Sequence, residues 1–252
     1  MIRSLRTSLR KTALARWLLW PVASSYGRMW DLAALNSDGA RWWMGGMKSD
    51  EDFEASGRHD AEQLARFVSR DARVLDLGCG MGRVLTHLAP HCAEIVGVDV
   101  SSRMLRRARE RLRGVPNVRL QRVSGRDLRP LAEGVFDFAF ALQVFHHLER
   151  EDTMRYLAEL HRVLKPGGRV YLQFLNFEVE ERAREFHDYA LESELLQAAR
   201  RRYFTEAEVS ILASLAGFDA TYLWANGDWL FLLAAKPSPV RDREPVPAGE
   251  PA

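Results

Sequence analysis

The stretch Val74-Leu-Asp-Leu-Gly-Cys-Gly-Met-Gly82 decides how this chain reads. A short apolar run carries one acid, Asp76, and then meets glycines at 78, 80 and 82. An apolar run that breaks into glycines is the pattern of a buried parallel strand ending in a tight turn. Glycine has no Cβ, so such a turn can take left-handed dihedrals and let a ligand approach the backbone. In open α/β sheets, a glycine turn between strand and helix is where nucleotide-like cofactors bind.

Working outward, the region from about 60 to 235 alternates short apolar runs with amphipathic segments. The expected strands are 74–77, 94–99, 118–123, 136–142 and 169–174. Ser101 is placed to cap a helix carrying Met104, Leu105, Ala108 and Leu112. Leu157, Leu160 and Leu164 form a stripe that stops at Lys165-Pro-Gly-Gly168. Alternation of this kind implies a parallel sheet with helices on both faces. Thr205-Glu-Ala-Glu208 reads as a capping box opening a helix to Gly217. Beyond it, two strands joined at Asn226-Gly227 read as a hairpin, which makes the last strand antiparallel. The fold expected is therefore α/β, a Rossmann-like, doubly wound, mostly parallel sheet with an antiparallel last strand and an N-terminal helical extension.

Residues 1–30 form a basic segment: Arg3, Arg6, Arg10, Lys11, Arg16 and Arg28 precede the first acid, Asp31. Leucines at 5, 9, 14, 18 and 19 give it helical spacing. It reads as a helix packed on the domain, or as one lying on an anionic membrane surface through residues 1–20. A secretory signal fits least, because its apolar core is short and interrupted by Pro21. The main domain is expected over 31–235, with an acceptor-side insertion at 175–204. The Pro- and charge-rich segment 236–252 reads as a disordered tail.

Composition narrows the function classes. The 252 residues are 47% hydrophobic and 28% charged, ordinary for a globular domain. A net charge of +2 gives no argument for nucleic acid. Two cysteines, Cys79 and Cys92, exclude a disulfide framework and a cysteine-rich zinc site; they fit a reducing, cytoplasmic setting. No run of about 18 apolar residues suggests a spanning helix.

The glycine spacing is GxGxG, whereas the dinucleotide fingerprint is GxGxxG. Asp76 just before the turn repels a pyrophosphate and attracts a cation. Asp99, seventeen residues past Gly82, ends the second apolar run and can accept hydrogen bonds from a ribose. An acid at the turn, no phosphate-binding lysine and a ribose-binding acid suit a cationic nucleoside cofactor. S-adenosylmethionine, with its sulfonium, amino group and ribose and no phosphate, fits that set.

These residues resemble the class I S-adenosylmethionine-dependent methyltransferases of the type 11-like kind. The resemblance rests on Val74–Gly82, on Asp99, on Phe136-Asp137, and on Leu160-His-Arg-Val-Leu-Lys-Pro-Gly-Gly168, and covers about residues 55–235. It implies a seven-stranded sheet with a final antiparallel hairpin. It also implies that Gly78, Cys79 and Gly80 meet the methionine part of the cofactor, with Asp76 and Gly82 among the cofactor-binding residues. By the same resemblance Asp99 meets the ribose, and Val100 and Met104 flank the ribose or adenine. Many members carry an acid directly after strand three for the adenine amino group; here Asp127 and Leu128 are the nearest equivalents, in an open register. In the family that this chain resembles, the end of strand four lies beside the transferring methyl group, which implies that Gln143 is near the cofactor. His146 and His147 are candidate general bases; the competing reading is that they pack and orient the loop. The expected acceptor is a small molecule. Its pocket is expected from Trp30 to Gly57, with Trp42, Trp43, Met44 and Phe53 before a glycine-bounded turn at Ser56-Gly57-Arg58, and from Asn176 to Tyr203, with Phe177, Phe186, His187 and Tyr189. Arg200-Arg-Arg202 reads as a solvated helix face or an anion contact. Two other functions stay open: a methyltransferase-like binding or membrane-associated protein without catalysis, and a nicotinamide-dependent oxidoreductase, which the glycine spacing and Asp76 disfavour.

Overall fold

The apolar runs are strands, and five of them lie side by side in parallel. A computed structural model describes residues 25–35, 41, 47, 49–192 and 201–238. β1 (Arg73–Leu77), β2 (Glu94–Asp99), β3 (Val118–Arg122), β4 (Phe136–Ala141) and β5 (Leu164–Asn176) are ordered β3-β2-β1-β4-β5. Val74 lies opposite Ile95 on one side and Phe138 on the other, which puts β1 at the centre. β7 (Asp219–Asn226) and β8 (Trp229–Ala235) form the hairpin, and β8 runs antiparallel between β5 and β7. The seven-stranded sheet with its antiparallel strand is thus as the sequence implies. An eighth strand, β6 (Tyr203–Phe204), adds two residues parallel to β5, off the main path.

Helices cover both faces, which explains why the central strands are apolar on both sides. They are α1 (Tyr26–Ala33), α2 (Asp50–Ala65), α3 (Leu85–Leu88), α4 (Ser102–Arg111), α5 (Arg150–Val163), α6 (Glu180–Glu192) and α7 (Glu206–Leu215). One core joins Phe136, Leu172 and Phe174 of the sheet to Leu157 and Leu160 of α5 and Val209 of α7. The other joins Val74, Ile95, Phe138 and Phe140 to Leu64 of α2 and Leu105 of α4. Asp137, of the Phe136-Asp137 pair, lies at the opposite end of the sheet from the glycine turn. It accepts from Arg73 N–H at 2.8 Å and pairs with Lys165 at 2.7 Å, tying the starts of β1, β4 and β5 together.

Several expectations are corrected. Ser56-Gly57-Arg58 is not a turn: α2 runs straight through it, capped by Ser49 with Asp50, Glu51 and Asp52 in its first turn. Gly57 is there because a Cβ would stand 2.5 Å from Arg83 O; the glycine allows close packing and breaks nothing. The hairpin loop is Gly227-Asp228, one residue later than read. Asn226 pairs with Trp229, and Gly227, at φ 55°, takes the first loop position. Lys165-Pro-Gly-Gly168 follows the end of α5 at Val163 but belongs to β5, whose pairing with β4 shifts register there. Thr205 caps α7, accepting from Glu208 N–H at 3.2 Å, but the Glu208 carboxylate turns to Arg150 and the box stays half made. Helix α1 crosses the boundary placed at residue 30. The leader before residue 25 and the tail beyond 238 lie outside the described residues.

Candidate functional site

At the end of β1 the chain folds back on β2. Gly78 and Cys79 both donate their N–H to Val98 O, at 2.8 and 3.0 Å. The three glycines take φ of 79°, 52° and 80°, left-handed values that a side chain would strain. Gly80 N–H then donates to Asp99 Oδ2 at 2.9 Å, while Ser101 N–H donates to Oδ1 at 2.8 Å. The glycine turn and the acid of β2 therefore lock each other in place across 19 residues of sequence. Burial pushes Asp99 up to about 6, although its backbone donors pull the other way. Asp76, also buried, is raised well above the usual carboxylate range by burial, with Arg83 opposing and Asp99 adding to the rise.

A cavity opens above these strand ends, lined on one side by Asp76, Gly78, Cys79, Gly80 and Arg83 and on another by Asp99, Val100 and Met104. Gln143, Val144 and His147 close it from the end of β4, and Tyr26, Trp30 and Tyr156 cover the rest. It sits at the C-terminal ends of β1, β2 and β4, around the switch in strand order at β1, where ligands of such sheets bind.

The cover comes from α1. Tyr26 hydroxyl donates to Asp152 Oδ2 at 3.0 Å and accepts from Glu149 N–H at 3.1 Å. Asp31 accepts from Ser101 Oγ at 2.6 Å and from Arg103 N–H at 3.0 Å, adding a second acid to the N-terminus of α4. Ser101 Oγ in turn accepts from Met104 N–H at 3.1 Å, the cap expected of it. One serine thus touches both the acid of the cavity and the acid of the covering helix.

Beyond β4, Gln143 is left-handed at φ 59°, the one such non-glycine among the described residues. A turn of 3-10 helix, Phe145–His147, follows. His147 meets the edge of Trp30, ring centroids 4.8 Å apart. Burial, with Arg201 and Arg202 adding, holds its conjugate acid down at about 3. The ring is neutral at physiological pH and a weak base. His146 lies outside the cavity lining, buried against Trp229, its Nδ1 without a hydrogen-bond partner.

Of the residues read from sequence, the structure brings Asp76, Gly78, Cys79, Gly80, Asp99, Val100, Met104, Gln143 and His147 to one cavity. Gly82 faces Leu112 instead, where its missing Cβ makes room for the end of α4. Asp127 and Leu128 do not reach the cavity. Asp127 is held by Ser124 and Arg129, and Leu128 is sunk in the core, so Val123 and Gly125 line that side. Phe53 packs with Met81, Met104 and Ala34 behind the wall. Phe177, Phe186 and Tyr203 meet one another edge to face or tilted, away from the lining, and His187 is exposed beside Asp188. Arg202 is no solvated residue: it is buried, pairs with Glu149, and donates its N–H to His146 O at 2.9 Å; Arg201 pairs with Glu185. Trp42, Trp43, Met44 and Arg200 lie outside the described residues, as does any statement of the Tyr189 side chain. Sequence reading missed Tyr26, Arg83 and Tyr156. Tyr156 left one trace, a polar tip within the apolar stripe of α5. Among the described residues there is no His/Cys/Asp/Glu group suited to a metal, and no helix long and apolar enough to cross a membrane.

Comparison with known proteins supports the same assignment. Residues 75–172 match the model of a methyltransferase domain family. An uncharacterized methyltransferase of Synechocystis is 36% identical over 107 residues, 42% of this chain and 48% of its own. A ubiquinone biosynthesis O-methyltransferase of Pseudomonas aeruginosa is 27% identical over 153 residues, 58% of this chain and 62% of its own. The chain spans about half the length of the curated relatives it matches. Among solved structures, a phosphoethanolamine N-methyltransferase of Haemonchus contortus, bound to phosphomonomethylethanolamine and S-adenosylhomocysteine, superposes with a TM-score of 0.64 at 18% identity. That match covers 85% of this chain and 60% of the other, and it shows a shared fold. The family match lies on β1 to β5, and the sheet with its antiparallel hairpin has the Rossmann-like fold of the methyltransferase structures it superposes on, so residues 75–172 are similar to a methyltransferase domain family.

Proposed function

We propose that the chain binds S-adenosylmethionine in this cavity and catalyses transfer of its methyl group to a small-molecule acceptor. The observation that carries the reading is the charge of the lining. Two buried carboxylates, Asp76 and Asp99, stand at adjacent strand ends, while Arg83, the arginine of the lining, is already ion-paired with Asp60 at 2.6 Å. That set fits a ligand with positive charge and hydroxyl groups and suits a pyrophosphate poorly. A buried carboxylate without a counter-charge is costly. A cation arriving beside Asp76 offsets that cost.

When bound, the donor supplies an activated sulfonium methyl, open to in-line displacement. The protein's own contributions are alignment and exclusion of water. Asp99, fixed by Gly80 and Ser101, supplies the acceptor for ribose hydroxyls. Tyr26 and Trp30 of α1 line the cavity and narrow its access to solvent. His147, neutral and a weak base, serves to orient the acceptor by a hydrogen bond, while His146 and Arg202 fix the turn that carries it. An acceptor that brings its own unprotonated nucleophile suits such a site.

The test is equilibrium binding by titration calorimetry. S-adenosylmethionine binds and a nicotinamide dinucleotide does not; the reverse result removes the reading. A screen of candidate metabolites with labelled methyl donor then identifies the acceptor.

A further inference from the structure

Gln173, on β5, is polar and buried at 8% exposure, between the buried apolar Leu172 and Phe174. Its Oε1 accepts the N–H of Gln143 at 2.9 Å. Gln143 lies just past the end of β4, where the backbone turns left-handed, so its N–H no longer points along the β ladder. A non-glycine residue holds such a conformation only where its surroundings fix it, and such residues gather at functional sites. The next residue, Val144, is pressed against the donor-side turn: a Cβ at Gly78 would collide with Val144 Cγ2. The contacts run in one line, from Gln173 to Gln143, to Val144, to Gly78, and the last three line the cavity.

We propose that Gln173 is a positioning residue of the donor site: it fixes the left-handed bend at Gln143 and so places the wall that faces the methyl-bearing end of the donor. This rests on the methyl-donor reading of the cavity. Gln173 itself does not line the cavity, so it acts through the residues it holds. Without its side-chain oxygen the Gln143 N–H loses its partner, and nothing offsets the strain of the bend. The wall then relaxes toward extended backbone. A shift there alters contacts with the methyl group, which distinguishes the donor from the demethylated product, and leaves contacts at Asp99 common to both.

The readout is the ratio of affinities for S-adenosylmethionine and S-adenosylhomocysteine, measured by calorimetry on the full chain. Gln173→Met keeps the bulk and removes the acceptor; the ratio shifts by roughly 5- to 10-fold, the worth of one hydrogen bond. Gln173→Glu keeps an acceptor oxygen and holds the ratio within about two-fold of the parent, well inside that loss. A Met variant with the parental ratio, or a Glu variant that shifts as far as Met, overturns the proposal. Amide hydrogen exchange over residues 142–145 of the parent chain is a second measurement, needed if the Met variant does not fold. Protection equal to the β4 core supports the held bend, and exchange at the rate of an open loop overturns it. A parent chain that binds neither ligand removes the methyl-donor reading itself, and this role falls with it; a parent that binds both, with an unmoved Met variant, removes the role of Gln173 alone.

Discussion

The two sides of the cavity are built by different means. The donor side, from Gly78 to Met104, is backbone: N–H groups of Gly78, Cys79, Gly80 and Ser101 fix the turn and its acid within a short stretch of chain. The covering side is made of side chains brought from far away. Tyr26 reaches Asp152 across 126 residues, and Asp31 reaches Ser101 across 70. A backbone site tolerates little change in the residues that shape it, whereas a side-chain cover can be rebuilt for another acceptor without disturbing the donor.

The most forceful way to break the contrast is at Asp99. Asp99→Ala removes a charged acceptor from the donor side and weakens S-adenosylmethionine binding by roughly 1.5–3 kcal/mol. Calorimetry checks it, and unchanged affinity removes Asp99 from the site. The pH dependence follows from the same group. Because Asp99 titrates at about 6 in the fold, donor affinity is full above that pH and falls as the pH drops through it. Its effect on folding has the opposite sign: the native state holds this proton between about 4 and 6 while the unfolded chain does not, so stability falls as the pH rises through that window and the full loss stands above 6. His147 runs the other way. Its folded value of about 3 lies below the unfolded 6.5, so it contributes stability above pH 6.5 that is lost as the pH falls toward 3. His147→Gln therefore flattens the acid side of a denaturation-versus-pH curve.

Gly57→Ala is next. The added Cβ, 2.5 Å from Arg83 O, forces α2 off the donor-side turn and costs about 1–3 kcal/mol in urea unfolding. Tyr26→Phe removes two hydrogen bonds of the cover, costs about 1–2 kcal/mol, and speeds dissociation of S-adenosylhomocysteine in stopped-flow more than it slows association. The smallest effect is expected at Asp127. Its carboxylate serves Ser124 and Arg129 outside the cavity, so Asp127→Ala leaves donor affinity within about 0.5 kcal/mol of the parent. A larger loss moves the adenine end of the site to that loop.

The same contrast explains what the sequence reveals. Gly78, Gly80 and Asp99 are legible because local spacing on strands and turns fixes where they go, whereas Val100, Met104 and Gln143 are reached only through the family resemblance. Asp127 misleads because a loop after β3 has no period to set its register, and Gly125, two residues earlier, takes the place at the cavity. Gly57 misleads for another reason. Read alone, a glycine between Ser and Arg looks like a turn, but its meaning lies in Arg83, 26 residues on, against which α2 is pressed. Tyr26 carries no local mark at all, since what makes it part of the site is the docking of α1 on α4 and α5.

The position of β8 bears on how this chain is made. The strand that follows every other in sequence lies inside the sheet, with β5 on one side and β7 on the other. Until residue 235 has left the ribosome, β5 is a bare edge that offers Val170, Leu172 and Phe174 to any passing strand. The Gly227-Asp228 loop shortens that interval, because a hairpin closes in microseconds and can dock as a unit. Synthesis halted within the hairpin should thus yield a chain more prone to aggregate than one halted just past it.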